Sequence, residues 1–227
     1  MPEILAPIAP TDLPPAAPLP KLEAIRVRAK FFFEGEKKWF IRGVTYGPFA
    51  PDEAGDFVGD PEKARKDFTL MQELGINLLR IYHIPPRWFL DLAQQFHLRV
   101  LISIPWAEHI EFLNQPAMRR QIIETIRAGV AKNRGHAAIF AYLVGNEIPT
   151  TMVRWLGARR VVEFVEKLIR VARLTDPRPL FSYASSRPRS TYSRRMWIFV
   201  PSMSIWSGRT TLRSISPACK ISRRTGR

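Results

Sequence analysis

The chain has one cysteine, Cys219, in 227 residues. That excludes an internal disulfide framework, and neither cysteine-rich nor histidine-rich spacing suited to a metal is present. No apolar run approaches the ~18 to 20 residues needed to span a bilayer, so no membrane span is expected. Neither a GxGxxG fingerprint nor a GxxxxGK loop follows any strand-like run, which weakens a nucleotide-binding reading. The opening stretch MPEILAPIAPTDLPPAAPLPK lacks a basic segment followed by a continuous apolar one. It therefore does not read as a signal peptide, and a cytoplasmic setting is expected. Residues 1–24 read as an extended Pro/Ala-rich arm.

Negative charge is also scarce at one end. Ten of the 35 Lys and Arg lie in residues 185–227, where there is no Asp or Glu; without them the formal charge of +15 falls to +5. The basicity belongs largely to that segment. A basic tail can hold phosphates non-specifically, but nothing else in the chain favours a nucleic-acid partner, and none is expected.

What is present is a repeating order of elements. IRVRAKFFFEGEKKWFI (25–41) reads as two short strands around the turn EGEKK, a β-hairpin. Strand-like runs then alternate with helical ones. RGVTYGPF (42–49) is a first strand, and Asp60-Pro61 supplies an N-cap and an N1 proline for a helix that stops at Gly75. INLLRIY (76–82), RVLISIPW (99–106), AAIFAYLVGN (137–146) and PLFSYA (179–184) are further strands. Helical spacing fills the gaps, most clearly over 116–132 with Met118, Ile122, Ile126 and Val130. Strands rich in Val, Ile and Leu, each followed by a helix, indicate an α/β fold with a helix-covered parallel sheet. Polar and aromatic residues recur at the strands' C-terminal ends: Tyr46, Arg80 to His83, Trp106 with Glu108, and Asn146-Glu147. That is the layout of a (β/α)8 TIM barrel, which takes about 250 residues; about 155 carry the pattern here. The expected fold is a partial barrel of four to five βα units over residues 25–184, preceded by the hairpin.

GNE (145–147), RGVTYGPF and NLLRIYHIPP resemble the catalytic barrel of glycoside hydrolase family 2 and its clan A relatives, over about Phe31 to Ala184. The chain resembles in particular barrels associated with glycosyltransferases, which implies a glycosyltransferase domain or partner and a carbohydrate substrate, with no cofactor. In that superfamily the Asn-Glu pair after strand four carries the general acid/base, which the resemblance places at Glu147. Retaining enzymes set two carboxyl groups about 5 to 5.5 Å apart across the scissile bond. The family's second carboxylate is a glutamate after strand seven, and no glutamate follows Glu166 here. The resemblance gives Asn146 a contact to the sugar 2-hydroxyl, Arg80 a role holding the nucleophile's carboxylate, and His83 a sugar contact. Trp106 and Tyr46 are candidate stacking surfaces for a pyranose ring.

Each candidate has a plainer reading. Asn146-Glu147 could cap the next helix, Arg80 could form a structural ion pair, and the aromatics could be core. Glu108 reads as a solvated loop glutamate, and His136, before the fourth strand, reads as structural. Residues 185–227 lose the strand–helix periodicity and become rich in Ser and Arg. Because Met and Trp have single codons, Met196 and Trp197 constrain a shifted reading. A shifted frame can encode a strand and then an amphipathic helix, as the barrel requires. The segment is therefore read as frameshifted and disordered, and the chain as a truncated, inactive barrel with open sheet edges. The alternative is a non-catalytic carbohydrate-binding or scaffolding domain of a glycosyltransferase system.

Overall fold

The computed structural model describes residues 18–52 and 55–184. The expected tail at 185–227 and most of the N-terminal arm lie outside the described residues.

The expected hairpin is a three-stranded antiparallel meander: β1 (Ile25–Arg28), β2 (Phe31–Glu34) and β3 (Lys37–Trp39). The sequence reading merged β1 and β2 because the turn between them, Ala29-Lys30, carries no Gly, Asn or Asp. Ala29 nevertheless takes the left-handed conformation there, at φ 52°.

A five-stranded parallel sheet follows in sequence order: β4 (Gly43–Thr45), β5 (Leu78–Ile81), β6 (Arg99–Ser103), β7 (Ile139–Asn146) and β8 (Leu180–Ala184). The intervening helices are α1 (Pro61–Glu73), α2 (Arg87–Gln95), α3 (Pro116–Lys132), α4 (Thr150–Leu156) and α5 (Ala158–Thr175). Neighbouring strands joined by helices, without reversal of strand order, are the opening five units of a TIM barrel. The Asp60 side chain accepts from the Glu62 and Lys63 amides, so α1 begins where the cap and proline specify. The expected single helix after β7 is two, because Gly157 at φ 90° breaks α4 from α5.

Strand alternation sorts the side chains into two layers. Leu79, Ile81, Val100, Ile102, Tyr142, Val144 and Phe181 face the helices and join Phe68, Phe89, Ile126 and Leu168 in one core. Leu78, Leu101, Ala141, Leu143 and Ala184 form the other layer, on the barrel's inner side. At the N-terminal end of the sheet the meander packs onto that layer, with the Phe32 and Trp39 rings each 5.2 Å from Phe140.

Strand β7 breaks its own alternation twice. Ile139 and Ala141 pair with the consecutive residues Val100 and Leu101, and Leu143 and Asn146 pair with Ser182 and Ala184. Each mismatch places an extra residue in β7, a bulge that re-aims a side chain. The lower bulge turns Phe140 onto the meander. The upper one brings Asn146 to the inner side. No helix of the described residues is long and apolar enough to cross a membrane.

Candidate active site

The upper bulge of β7 builds the site. Asn146 sits level with Ala184 on the inner side, and its Oδ1 accepts from Arg80 Nη2 at 2.6 Å, across 66 residues of sequence. Arg80 is 4% exposed, and its guanidinium lies 4.6 Å from the centre of the Tyr82 ring. Burial lowers the Arg80 pKa, while Tyr82 and Glu147 oppose that shift. Arg80, Asn146 and Glu147 are thus brought together at the C-terminal rim of the sheet.

Glu147 takes the left-handed conformation, at φ 61°, which costs a non-glycine residue about 1–3 kcal/mol unless its surroundings enforce it. Three consecutive amides supply that enforcement. Asn146 N donates to Glu108 Oε1 at 2.5 Å, Glu147 N to Ala184 O at 2.9 Å, and Ile148 N to the Tyr183 hydroxyl at 2.7 Å. The β6 loop grips the turn from one side and β8 from the other. Glu147 is half-buried, and its Oε1 is a buried atom with no hydrogen-bond partner among the described residues. The same holds for Ser103 Oγ, on the next strand at the level of Leu143. Buried polar atoms without a hydrogen-bond partner among the described residues also occur at His83, Asn133 Oδ1 and Tyr142 Oη.

Glu108 is not the solvated loop residue that the sequence suggests. It is half-buried, and its pKa rises to about 7 because burial disfavours the carboxylate. The Asn146 amide opposes that shift, and the charge of Glu147 adds to it. Its signal in the sequence was its place on the loop after the third barrel strand, two residues beyond Trp106. The approach to Asn146, 38 residues away, was not visible there. Tyr183 and Ala184 were likewise missed, because they act through a hydroxyl and a backbone carbonyl on an otherwise ordinary strand.

Trp106 donates from Nε1 to Val144 O at 2.8 Å and sets its ring edge-on to Phe112 at 5.1 Å. It buttresses Gly145, where an added Cβ would lie 3.3 Å from Trp106 Cζ2 and 3.2 Å from Tyr183 Cδ2 and Cε2. Only glycine fits this close approach without displacing two rings.

Tyr46 and His83 are not brought to this group. Thr45 is the residue level with Arg80, so Tyr46, one position on, points to the helix side. It is 5% exposed, donates to Asp67 Oδ2 at 2.9 Å and packs against Phe49, Phe68 and Phe89. Burial and Asp67 raise its pKa. This places it in the helix layer rather than on the rim where a sugar would stack. His83 is buried beside Phe57 at 5.8 Å; burial lowers its pKa, and its charged neighbours are Asp56 and Lys132. His136 bonds Asp91 at 2.9 Å and accepts from Ala138 N at 3.1 Å, tying α2 to the start of β7. Among the described residues no group of His, Cys, Asp and Glu could hold a metal ion.

Five parallel strands in barrel order, with an Asn-Glu pair clamped at the C-terminal rim, define a glycoside hydrolase-like barrel. The glucanosyltransferase family matches residues 16–173, and the chain belongs to it. Among relatives, the 1,3-beta-glucanosyltransferase gel1 of Aspergillus fumigatus is 33% identical over 60 residues, 26% of this chain and 13% of that protein. A beta-galactosidase of Arthrobacter sp. is 26% identical over 149 residues, 60% of this chain and 14% of that one. Among solved structures, Saccharomyces cerevisiae Gas2p in complex with laminaripentaose superposes with a TM-score of 0.57 at 19% identity, over 74% of this chain and 41% of that chain. The chain therefore spans less than half the length of each.

Proposed function

We propose that this barrel derives from a retaining transglycosidase acting on β-linked glucan, with Glu147 as general acid/base. The observation that carries the reading is the rim group itself: Asn146 held by Arg80 and Glu108, delivering Glu147 at a left-handed turn. In the reaction, Glu147 would protonate the departing glycosidic oxygen. It would then take a proton from the incoming hydroxyl, that of a sugar in transfer or of water in hydrolysis. Asn146, fixed through its Oδ1, has its amide nitrogen left to donate to a sugar hydroxyl. Arg80 places positive charge beside the carboxylates. The 1,3-linked glucan of gel1 and the laminaripentaose of Gas2p support glucan as the substrate class. The 149-residue alignment with a beta-galactosidase supports action on a β-linked glycoside.

The covalent half of that mechanism needs a second carboxylate, and no glutamate follows Glu166 in this sequence. The second reading is a domain that recognises glycan without cleaving it and works beside a glycosyltransferase. The loss of strand–helix periodicity over residues 185–227 motivates the inference that they are read out of frame. The nucleotide sequence across codons 184 to 187 and beyond checks it, and stop codons in the alternative frame end the idea. For the activity, the frame-corrected barrel is assayed on β-1,3-gluco-oligosaccharides and aryl β-glucosides. Glu147→Gln is expected to lower the rate by about 10²- to 10⁴-fold. Equal rates for the two proteins remove Glu147 from the acid/base role. Binding without turnover in both favours the recognition domain.

A further inference from the structure

We propose that Glu108 is a positioning residue of this site, whose carboxylate holds the Asn146–Glu147 turn in place by accepting the Asn146 amide. The inference rests on the functional reading for its importance, but its geometry stands apart from any turnover.

The turn has three amides to satisfy, and two of them go to β8, the strand that β7 pairs with directly. The third, Asn146 N, points the other way and meets Glu108. Without that acceptor the backbone amides of the turn are held from the β8 side only. Strand β6 pairs with β7 as far as Ser103 and Leu143, with a last bond from Ile104 N to Leu143 O at 3.0 Å. Beyond that point the ladder has ended. Trp106 Nε1 on Val144 O and Glu108 Oε1 on Asn146 N continue it by side chains, each reaching a backbone group that the missing ladder leaves open. The β6 loop therefore works as a side-chain extension of the sheet, set where β7 bulges.

The same placement puts Glu108 in the field of Glu147, which in turn acts on Arg80 across the inner side. His109, its neighbour on the loop, is exposed. A half-buried carboxylate that titrates near neutrality and also holds the turn gives the site a charge that depends on the state of Glu147. A hydrogen bond to an ionised acceptor is worth more than one to a neutral acceptor, and removing the acceptor leaves the amide unsatisfied.

The test uses the full chain with Glu108→Gln, Glu108→Ala and Glu147→Gln, and does not require activity. Amide exchange at Asn146 is expected to quicken by about 10-fold or more in Glu108→Ala and to be largely restored in Glu108→Gln, which keeps the acceptor oxygen. The Glu108 carboxyl, followed by carbon NMR, is expected to titrate near 7 in the wild type and at lower pH in Glu147→Gln. Laminaripentaose affinity of the wild type is expected to show an inflection in that pH range that Glu108→Gln removes. Unchanged Asn146 exchange in Glu108→Ala overturns the proposal. Should Glu108→Ala fail to fold, Asn146 exchange in Glu108→Asp, whose shorter side chain withdraws the acceptor, decides in the same way. Absence of laminaripentaose binding while Asn146 exchange responds as expected refutes the glucan reading and leaves the positioning role standing.

Discussion

Strand β7 carries a bulge at each end, and the two serve opposite purposes. At the bottom, Phe140 is turned into a ring cluster with Phe32 and Trp39. Beside it Arg99, 2% exposed, is held by Ala137 O at 2.7 Å, by Glu23 O and by the Glu34 carboxylate. At the top, Asn146 is turned toward Arg80, another arginine of the inner side, and buried polar atoms of Glu147 and Ser103 have no partner among the described residues. The bottom buries a charge and matches it with fixed groups, as a structural seal does. The top buries comparable polarity and leaves carboxylate and hydroxyl oxygens unmatched. In TIM barrels the N-terminal face serves stability, and the C-terminal face is where the proposed site lies.

Four substitutions sharpen or break that contrast. Arg99→Met strips the donor from two carbonyls and the partner from Glu34, and should cost about 3 kcal/mol or more of stability by urea unfolding. A cost below about 1 kcal/mol would mean that the bottom is not a seal. On the proposed acid/base role, Glu147→Gln should leave the unfolding midpoint nearly unchanged, because no hydrogen bond within the described residues is lost from its Oε1. A large loss of stability there would make the top structural as well. Gly145→Ala should cost about 1–3 kcal/mol. Trp106 and Tyr183, which the new Cβ meets at 3.2 to 3.3 Å, must each shift by a few tenths of an ångström against the hydrogen bond that anchors it. Stability equal to wild type would show that the rim is looser than its contacts imply.

The smallest effect is a pH slope. The Glu108 pKa is raised from 4.5 to about 7 in the folded chain, so the folded state binds the extra proton across that window. Its contribution is fully present below the unfolded value and is lost as pH rises through the folded one. Wild type should therefore lose stability relative to Glu108→Gln between pH 4.5 and about 7, with the difference level above that. Thermal unfolding of both proteins across this range reads the slope, and parallel curves would place Glu108 in water.

Much of the fold was legible because its signals are local. The Asp60 cap, the 116–132 periodicity and the order of strands need only neighbouring residues, and α1, α3 and β5 to β8 lie where those signals put them. Arg80 and Asn146 were legible as candidates because a charge inside an apolar strand and an amide at a strand end are conspicuous. Tyr46 lies one residue of alternation away from the inner side, since Thr45, not Tyr46, is level with Arg80.

The amino-acid sequence by itself determined the alternation of strands and helices and the residue types gathered at the rim. The periodicities of 2 and 3.6 that specify them are properties of the chain's own backbone. Only the tertiary structure decided that β7 bulges at 143–146, that Asn146 therefore faces Arg80, and that Glu108 completes the grip on the turn. A bulge is set by how one strand's hydrogen bonds register against its neighbour's. That register depends on residues dozens of positions away.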